Sequence, residues 1–304
     1  MEHVVWSEQP SLRTPTLIAA FTGWNDAGDA ASGAAQHLAA SWQARKIATI
    51  DPEDFFEFQA TRPQVRLRDG HTREIVWPPN ELYAASTPTG DVLVLSGTEP
   101  QLRWRTFCEQ IIEVAKQFDV RLVLTLGALL ADVPHTRPVR IIGTASEQQL
   151  IDRFELQRSR YQGPTGIVGV LQDACTRMGL SSASLWAAVP SYAPGTPSPK
   201  ATLALVQRTT DIVGLAVETH SLERKSLDYE QEMTRNVADD DDLAGYVNRL
   251  ESAFDDGSDD LQDDDADEVN ATDETDDGPE LAADPASADQ LVEEVERFLR
   301  DQGS

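Results

Sequence analysis

The 304 residues include two cysteines, three methionines and five histidines, and these shortages exclude several kinds of chemistry. Cys108 and Cys175 fall among apolar positions of expected helices, Phe107-Cys108-Ile111-Ile112 and Leu171-Ala174-Cys175-Met178. They read as buried free thiols. His3, His37, His71, His135 and His220 show no HExxH or HxxxH spacing, and no cysteine pair supports them, so no metal and no cofactor is expected. The phosphate-cradling GxGxxG and P-loop patterns are absent, as is the GxSxG elbow of hydrolases. The most apolar stretch, Leu122 to Val133, is too short to span a bilayer, and the first residues lack a basic segment followed by an apolar core. The expectation is a cytoplasmic protein with no membrane partner.

Basic residues are also scarce, but unevenly so. The formal charge is −27; residues 239–304 hold 25 acidic residues against three arginines, which leaves 27 acids and 22 bases before them. The body is therefore an ordinary, mildly acidic domain, large enough to bury its own core. With no dominant basic face, nucleic acid is not an expected partner.

What is present is a repeated strand-to-loop plan. Thr16 to Phe21 reads as a buried strand, followed by Gly23-Trp24-Asn25-Asp26-Ala27-Gly28 and an alanine-rich helix, Asp29 to Trp42. Asp91 to Ser96 repeats it with Gly97-Thr98-Glu99-Pro100 and a helix over Gln101 to Phe118. Further strands are expected at Lys46 to Ile50, Arg121 to Leu126, Val139 to Thr144 and Ser184 to Val189, and further helices at Ile167 to Met178 and Pro199 to Val213. In the first of these helices, Ile167, Val170, Leu171, Ala174 and Met178 share one face. Strands alternating with helices argue an α/β class with a mainly parallel sheet covered on both faces. Gln64 to Arg68 and Arg73 to Trp77 flank Asp69-Gly70, which marks an inserted β-hairpin.

Ligands of such sheets collect at the carboxyl ends of the strands. The side chains expected there are Asn25 and Asp26, Thr98 and Glu99, Arg103, Asp132 and His135 of the Gly127 to Pro138 loop, and Tyr161 with Thr165. An acid, a base and backbone donors in one cleft can build a small-molecule pocket. The same residues are equally explained by helix caps, with Asp26 and Asp29 at one helix start, and by a Glu99/Arg103 helix pair. Asp26 and Glu99 also stand where a bound phosphate would be repelled. No residue is assigned a catalytic role.

The segments GWNDAG, GTEPQLRW, GALLADVPHTRP, YQGPTGI, LWAAVP and PSPKATLAL, in that order, resemble the proteasome assembly chaperone 2 family in its actinobacterial form, over about residues 1–254. The resemblance implies a single three-layer domain similar to the phosphorylase/hydrolase fold. It also implies protein partners, proteasome subunits among them, because eukaryotic relatives are non-enzymatic chaperones that pair proteasome α-subunits. Fold relatives further imply a homo-oligomer, a trimer in preference to a dimer. The alternative is an enzyme of the nucleoside phosphorylase or hydrolase type acting on a small ligand. In one place the chain departs from the family: where the resemblance leads to a histidine before the tyrosine of the late strand end, the chain has Pro190-Ser191-Tyr192.

After the body, Leu243, Tyr246, Val247, Leu250 and Phe254 recur at helical spacing and should pack on it. Residues 255–285 carry 15 acids and no Lys or Arg, the composition of a disordered linker. Asp263, Asp265, Asp267 and Glu274 match a calcium-loop spacing there by chance, since Glu268 occupies the position that requires glycine. Over residues 286–300, a capping pattern at Ser287 and Gln290 precedes an apolar stripe of Leu291, Val292, Val295, Phe298 and Leu299, which reads as a docking helix.

Overall fold

The fold was analysed in a computed structural model that describes residues 2–257. The expected acidic linker, apart from its first three residues, and the helix over residues 286–300 lie outside the described residues. Ten strands are present among them: β1 (Val4–Trp6), β2 (Thr16–Thr22), β3 (Arg45–Ile50), β4 (Gln64–Arg68), β5 (Thr72–Val76), β6 (Asn80–Ser86), β7 (Asp91–Thr98), β8 (Leu122–Ala131), β9 (Ile141–Ala145) and β10 (Ser182–Pro190). The helices are α1 (Ala30–Ser41), α2 (Trp104–Gln117), α3 (Gln148–Phe154), α4 (Ile167–Arg177), α5 (Pro199–Val213), α6 (His220–Ala238) and α7 (Asp241–Asp255).

Eight strands form one sheet in the order β1-β3-β6-β7-β2-β8-β10-β9. Its centre, β7-β2-β8-β10, is parallel, while the pairs toward both edges are antiparallel, so five of the eight strands point one way. The two-residue periodicity of β2 shows why both faces are covered. Ile18 and Ala20 enter one core with α1 and α5, whereas Leu17, Ala19 and Phe21 enter the other with α2 and α4. A strand buried on both sides cannot alternate apolar with polar residues, and β2 does not. The result is the expected three-layer α/β fold.

The alanines of α1 let it lie close to the sheet: Ala30, Ala31, Ala34 and Ala35 are fully buried. On the other face Phe55, from the loop after β3, packs edge-on against Phe107 of α2 at 5.2 Å. Both thiols lie in this core, where burial pushes Cys108 up to about 12 and Cys175 up to about 11. They remain protonated and unreactive at neutral pH.

Several elements differ from the sequence expectation. β8 does not stop at Leu126; it continues through Gly127 to Ala131, paired with β10 throughout, so the expected Gly127 to Pro138 loop begins only after Ala131. Gly127 is there for packing, since a Cβ on it would stand 2.5 Å from the ring of Trp186, its partner in register. In α4 the buried stripe is Ile167, Val168, Leu171 and Cys175, and Met178 is 50% exposed beyond the helix end. The strands β1 and β6 and the helices α3 and α6 go beyond what the pattern indicated. α6 has 19 residues but buries only Leu222, Tyr229, Met233 and Val237, too sparse a stripe to stand out among its charges.

The hairpin β4–β5 forms as expected, with Asp69 and Gly70 both at positive φ in the turn. It is a separate two-stranded sheet, and Val65, Leu67 and Ile75 on one of its faces are more than half exposed.

Candidate functional site

The loop after β2 turns at Gly23 and passes through a single 3-10 turn, Ala27–Asp29, before α1 begins at Ala30. Asp26 is buried, and its Oδ1 accepts from the backbone N–H of Ala31 at 2.7 Å and of Ser32 at 3.0 Å. It caps α1 across the intervening turn, while Asp29 lies in the left-handed region and makes no side-chain cap bond, contrary to the paired cap expected. Burial raises the Asp26 carboxyl above its ordinary range, and the hydrogen bonds from Ser32 and Ala31 offset part of that rise.

Glu99 performs the same task for another helix. Its Oε1 accepts from the Ile167 N–H at the start of α4, at 2.8 Å, and from Asn25 Nδ2 at 2.7 Å. Gly166 is required at this crossing, because a Cβ on it would fall 2.3 Å from Asn25 Nδ2 and 2.7 Å from Glu99 Oε1. Asn25 also accepts the Ala128 N–H through its carbonyl, which ties the loop to β8. Asn25, Asp26 and Glu99 therefore form one polar knot at the strand ends, Asn25 and Asp26 buried and Glu99 partly exposed, and the two carboxylates occupy the helix N-termini where an anion would bind. Asn25 Oδ1 and Asp26 Oδ2 are buried without a hydrogen-bond partner.

The other expected residues are distributed differently. Arg103 does not pair with Glu99; its Nη1 lies 2.7 Å from Asp54 Oδ1, and since α2 begins only at Trp104, with Arg103 at φ 53° before it, Glu99 and Arg103 share no helical turn. Tyr161 donates to the Pro164 carbonyl within its own loop, and Thr165 is exposed beside it. Thr98 ends β7 and sits 3.5 Å from the Thr22 hydroxyl.

Asp132 and His135 belong to a second cluster. Asp132 Oδ1 accepts from Ser191 Oγ at 2.6 Å. His135 is buried, with Nδ1 and its backbone N both 2.8 Å from the Tyr192 hydroxyl and Nε2 3.1 Å from Thr234 Oγ1. Thr234 spends its own proton on the Glu230 carbonyl, so Nε2 carries the hydrogen and Tyr192 donates to Nδ1. Lys200 Nζ donates to the His135 carbonyl and pairs with Glu230. Arg137 then forks onto Asp255, at 2.8 Å through both Nε and Nη2, which clamps α7 over the loop. Tyr192, Lys200, Glu230 and Thr234 were not identified from sequence. Tyr192 was visible only as the residue after the departure Pro190-Ser191, and α6, which carries Glu230 and Thr234, gave no signal.

Burial and the nearby Lys200 charge hold the His135 imidazole below its ordinary value of 6.5, so it is neutral in the folded protein. The unfolded chain then binds more protons below pH 6.5, and the stability this histidine contributes is complete above that value and lost as pH falls toward the folded pKa. Melting temperature should decline between pH 7 and pH 5, and the decline should be shallower in His135→Gln. An equal slope in both proteins would assign the acid sensitivity to other groups.

Among the described residues no helix is long and apolar enough to cross a membrane, and no group of three or more histidine, cysteine or acidic side chains could hold a metal ion. The geometry defines a class: a three-layer α/β protein whose strand-end carboxylates are used to fasten helices.

Comparison with known proteins gives this class a family. The PAC2 family model matches residues 20–237, and the chain belongs to the PAC2 family. It is similar to the Mycobacterium tuberculosis proteasome-assembly chaperone homologue at 46% identity, with a TM-score of 0.70, over 76% of this chain and 99% of that one. A PAC2 family protein from Streptomyces avermitilis is 41% identical, with a TM-score of 0.71, over 77% and 99%. The fold is also that of Pyrococcus furiosus PbaB, an archaeal proteasome activator, at 20% identity and a TM-score of 0.63 over 76% and 97%. No curated protein matches.

Proposed function

We infer that the chain is a cytoplasmic, non-enzymatic, homo-oligomeric interaction protein with a role in proteasome assembly. The observation that carries this reading is the 46% identity over nearly the whole of a proteasome-assembly chaperone homologue. Two features of the molecule support it. The β4–β5 hairpin presents Val65, Leu67 and Ile75 together on one face, each more than half exposed, as an association surface does. Asp26 Oδ1 and Glu99 Oε1 accept the backbone N–H groups at the starts of α1 and α4, so carboxylates already occupy the places where the alternative, a phosphorylase or hydrolase, would hold an anion. A trimer is preferred to a dimer.

The test is assembly itself. Proteasome α-subunits from the same organism are mixed with and without the chain, and ring formation is followed on native gels, with light scattering on the chain alone. Faster or more complete rings and an oligomeric chain are the expected results. Rings forming at the same rate around a monomeric, unassociated chain would refute the reading.

A further inference from the structure

The strands β2 and β7 lie side by side, yet the chain leaves them toward opposite faces. β2 feeds α1 on the face of Ile18 and Ala20, and β7 feeds α2 on the face of Leu93 and Leu95. Such a divergence leaves a crevice at the carboxyl ends of the two strands, the usual ligand position of open α/β sheets. Here the crevice continues into a groove of about 380 Å³ between α1 and the strands β6 and β7. That volume is in the range of small-molecule sites.

Thr22 and Thr98, the last residues of β2 and β7, line the groove together with Ser96, Glu81, Tyr83 and Gln36. The only ionised pair is already complete: Glu81 accepts from Lys46 Nζ at 3.0 Å and from the Tyr83 hydroxyl at 2.5 Å. Its neighbours are neutral and underused. Ser96 and Gln36 make no side-chain hydrogen bond among the described residues. Thr22 reaches the Gly97 carbonyl and the Thr98 hydroxyl only at 3.4 and 3.5 Å, the weak limit of such contacts. Across from the threonines and Ser96, Ala39 and Ala40 of α1 and Ala44 just after it make a shallow apolar wall, with Gln36 one turn before those alanines on the same helix, while Pro79 lies beside Thr98 and accepts its backbone N–H.

An anion finds no cationic partner here, since Lys46 is spent on Glu81 and the α1 N-terminus is capped by Asp26. A cation finds no free carboxylate for the same reason. What remains is three hydroxyls on β2 and β7 and, across the groove, the Gln36 amide beside the alanines of α1, each polar group able to donate and to accept next to a wall suited to the C–H face of a ring. We propose that this groove binds a neutral polyhydroxylated small molecule of the monosaccharide class, held by Thr22, Thr98, Ser96 and Gln36 against the alanine wall of α1. This inference is independent of the role in proteasome assembly and requires no turnover.

The test is an NMR titration of the full chain with D-ribose, D-glucose and N-acetyl-D-glucosamine, with ribose 5-phosphate and putrescine as charged comparators. At least one neutral sugar should give saturable shifts at Thr22, Ser96 and Thr98. Ala40→Phe, on the exposed edge of α1, should fill the groove and weaken that binding at least tenfold with the melting temperature kept. Ser96→Ala, which removes one hydroxyl, should weaken it several-fold and serves if the first variant misfolds. The proposal is overturned if none of the three sugars saturates at tens of millimolar, if both variants bind as the parent does, or if the charged comparators bind as tightly as the neutral sugars.

Discussion

Gly166→Ala should lower stability by about 3 kcal/mol, because it forces a methyl group into the crossing of Asn25, Glu99 and the start of α4. The new Cβ would overlap Asn25 Nδ2 at 2.3 Å, Asn25 Oδ1 at 2.5 Å and Glu99 Oε1 at 2.7 Å, and none of these atoms is at the end of a free, exposed side chain. The Asn25–Glu99 hydrogen bond and the cap on Ile167 would part, leaving buried polar groups unpaired. For a domain of this size the loss corresponds to roughly 6–12 °C in melting temperature. Backbone conformation contributes nothing to the effect, since Gly166 has φ −91° and ψ −171°, which any residue adopts. Calorimetry on the variant measures it; an unchanged melting temperature would mean that the knot does not fasten α4.

The second large effect is expected from Asp26→Ala. Its carboxylate is the acceptor for two N–H groups at the start of α1, both buried against the sheet, where water does not replace the lost partner easily. A cap bond to an ionised acceptor in such a place is worth about 2–3 kcal/mol, above the usual range for exposed caps. The unfolding midpoint in urea should fall while the slope is retained, and hydrogen exchange should accelerate first at Ala31 and Ser32. If instead the slope changes, the substitution has altered the compactness of the unfolded or native state, and the cap is not the cause.

These two positions also show how far the sequence could be read. The buried strands β2 and β7 and their loops were legible because a chain buried on both faces leaves a continuous apolar run that ends in polar residues. The hairpin was legible through Asp69-Gly70. The six distinct segments from GWNDAG to PSPKATLAL carried the family and, with it, the three-layer fold. Gly127 misled because glycine after an apolar run looks like a strand end, whereas here its missing side chain accommodates Trp186 in the neighbouring strand; that is a tertiary reason with no local trace. The site was partly legible for the same kind of reason. Asn25, Asp26 and Glu99 converge because the loops after adjacent strands must meet. Arg103 was drawn to Asp54, a partner from a distant loop that helical spacing could not reveal. Around His135, Tyr192 and Lys200 bond the loop directly while α6 adds Thr234 and Glu230, and the sparse apolar stripe of α6 concealed that part of the cluster.

The account turns on Glu99 as a fastener of α4 instead of a reacting acid, and Glu99→Gln tests this most directly. The variant keeps the shape and an acceptor oxygen but removes the charge from bonds to Ile167 and Asn25, so about 1 kcal/mol of stability should be lost, or 2–4 °C in melting temperature. Melting should be measured alongside phosphorolysis and hydrolysis of a panel of common nucleosides by parent and variant. The account predicts the lowered melting temperature and no turnover by either protein. Turnover by the parent that disappears in Glu99→Gln, at an unchanged melting temperature, would contradict it and make this chain an enzyme.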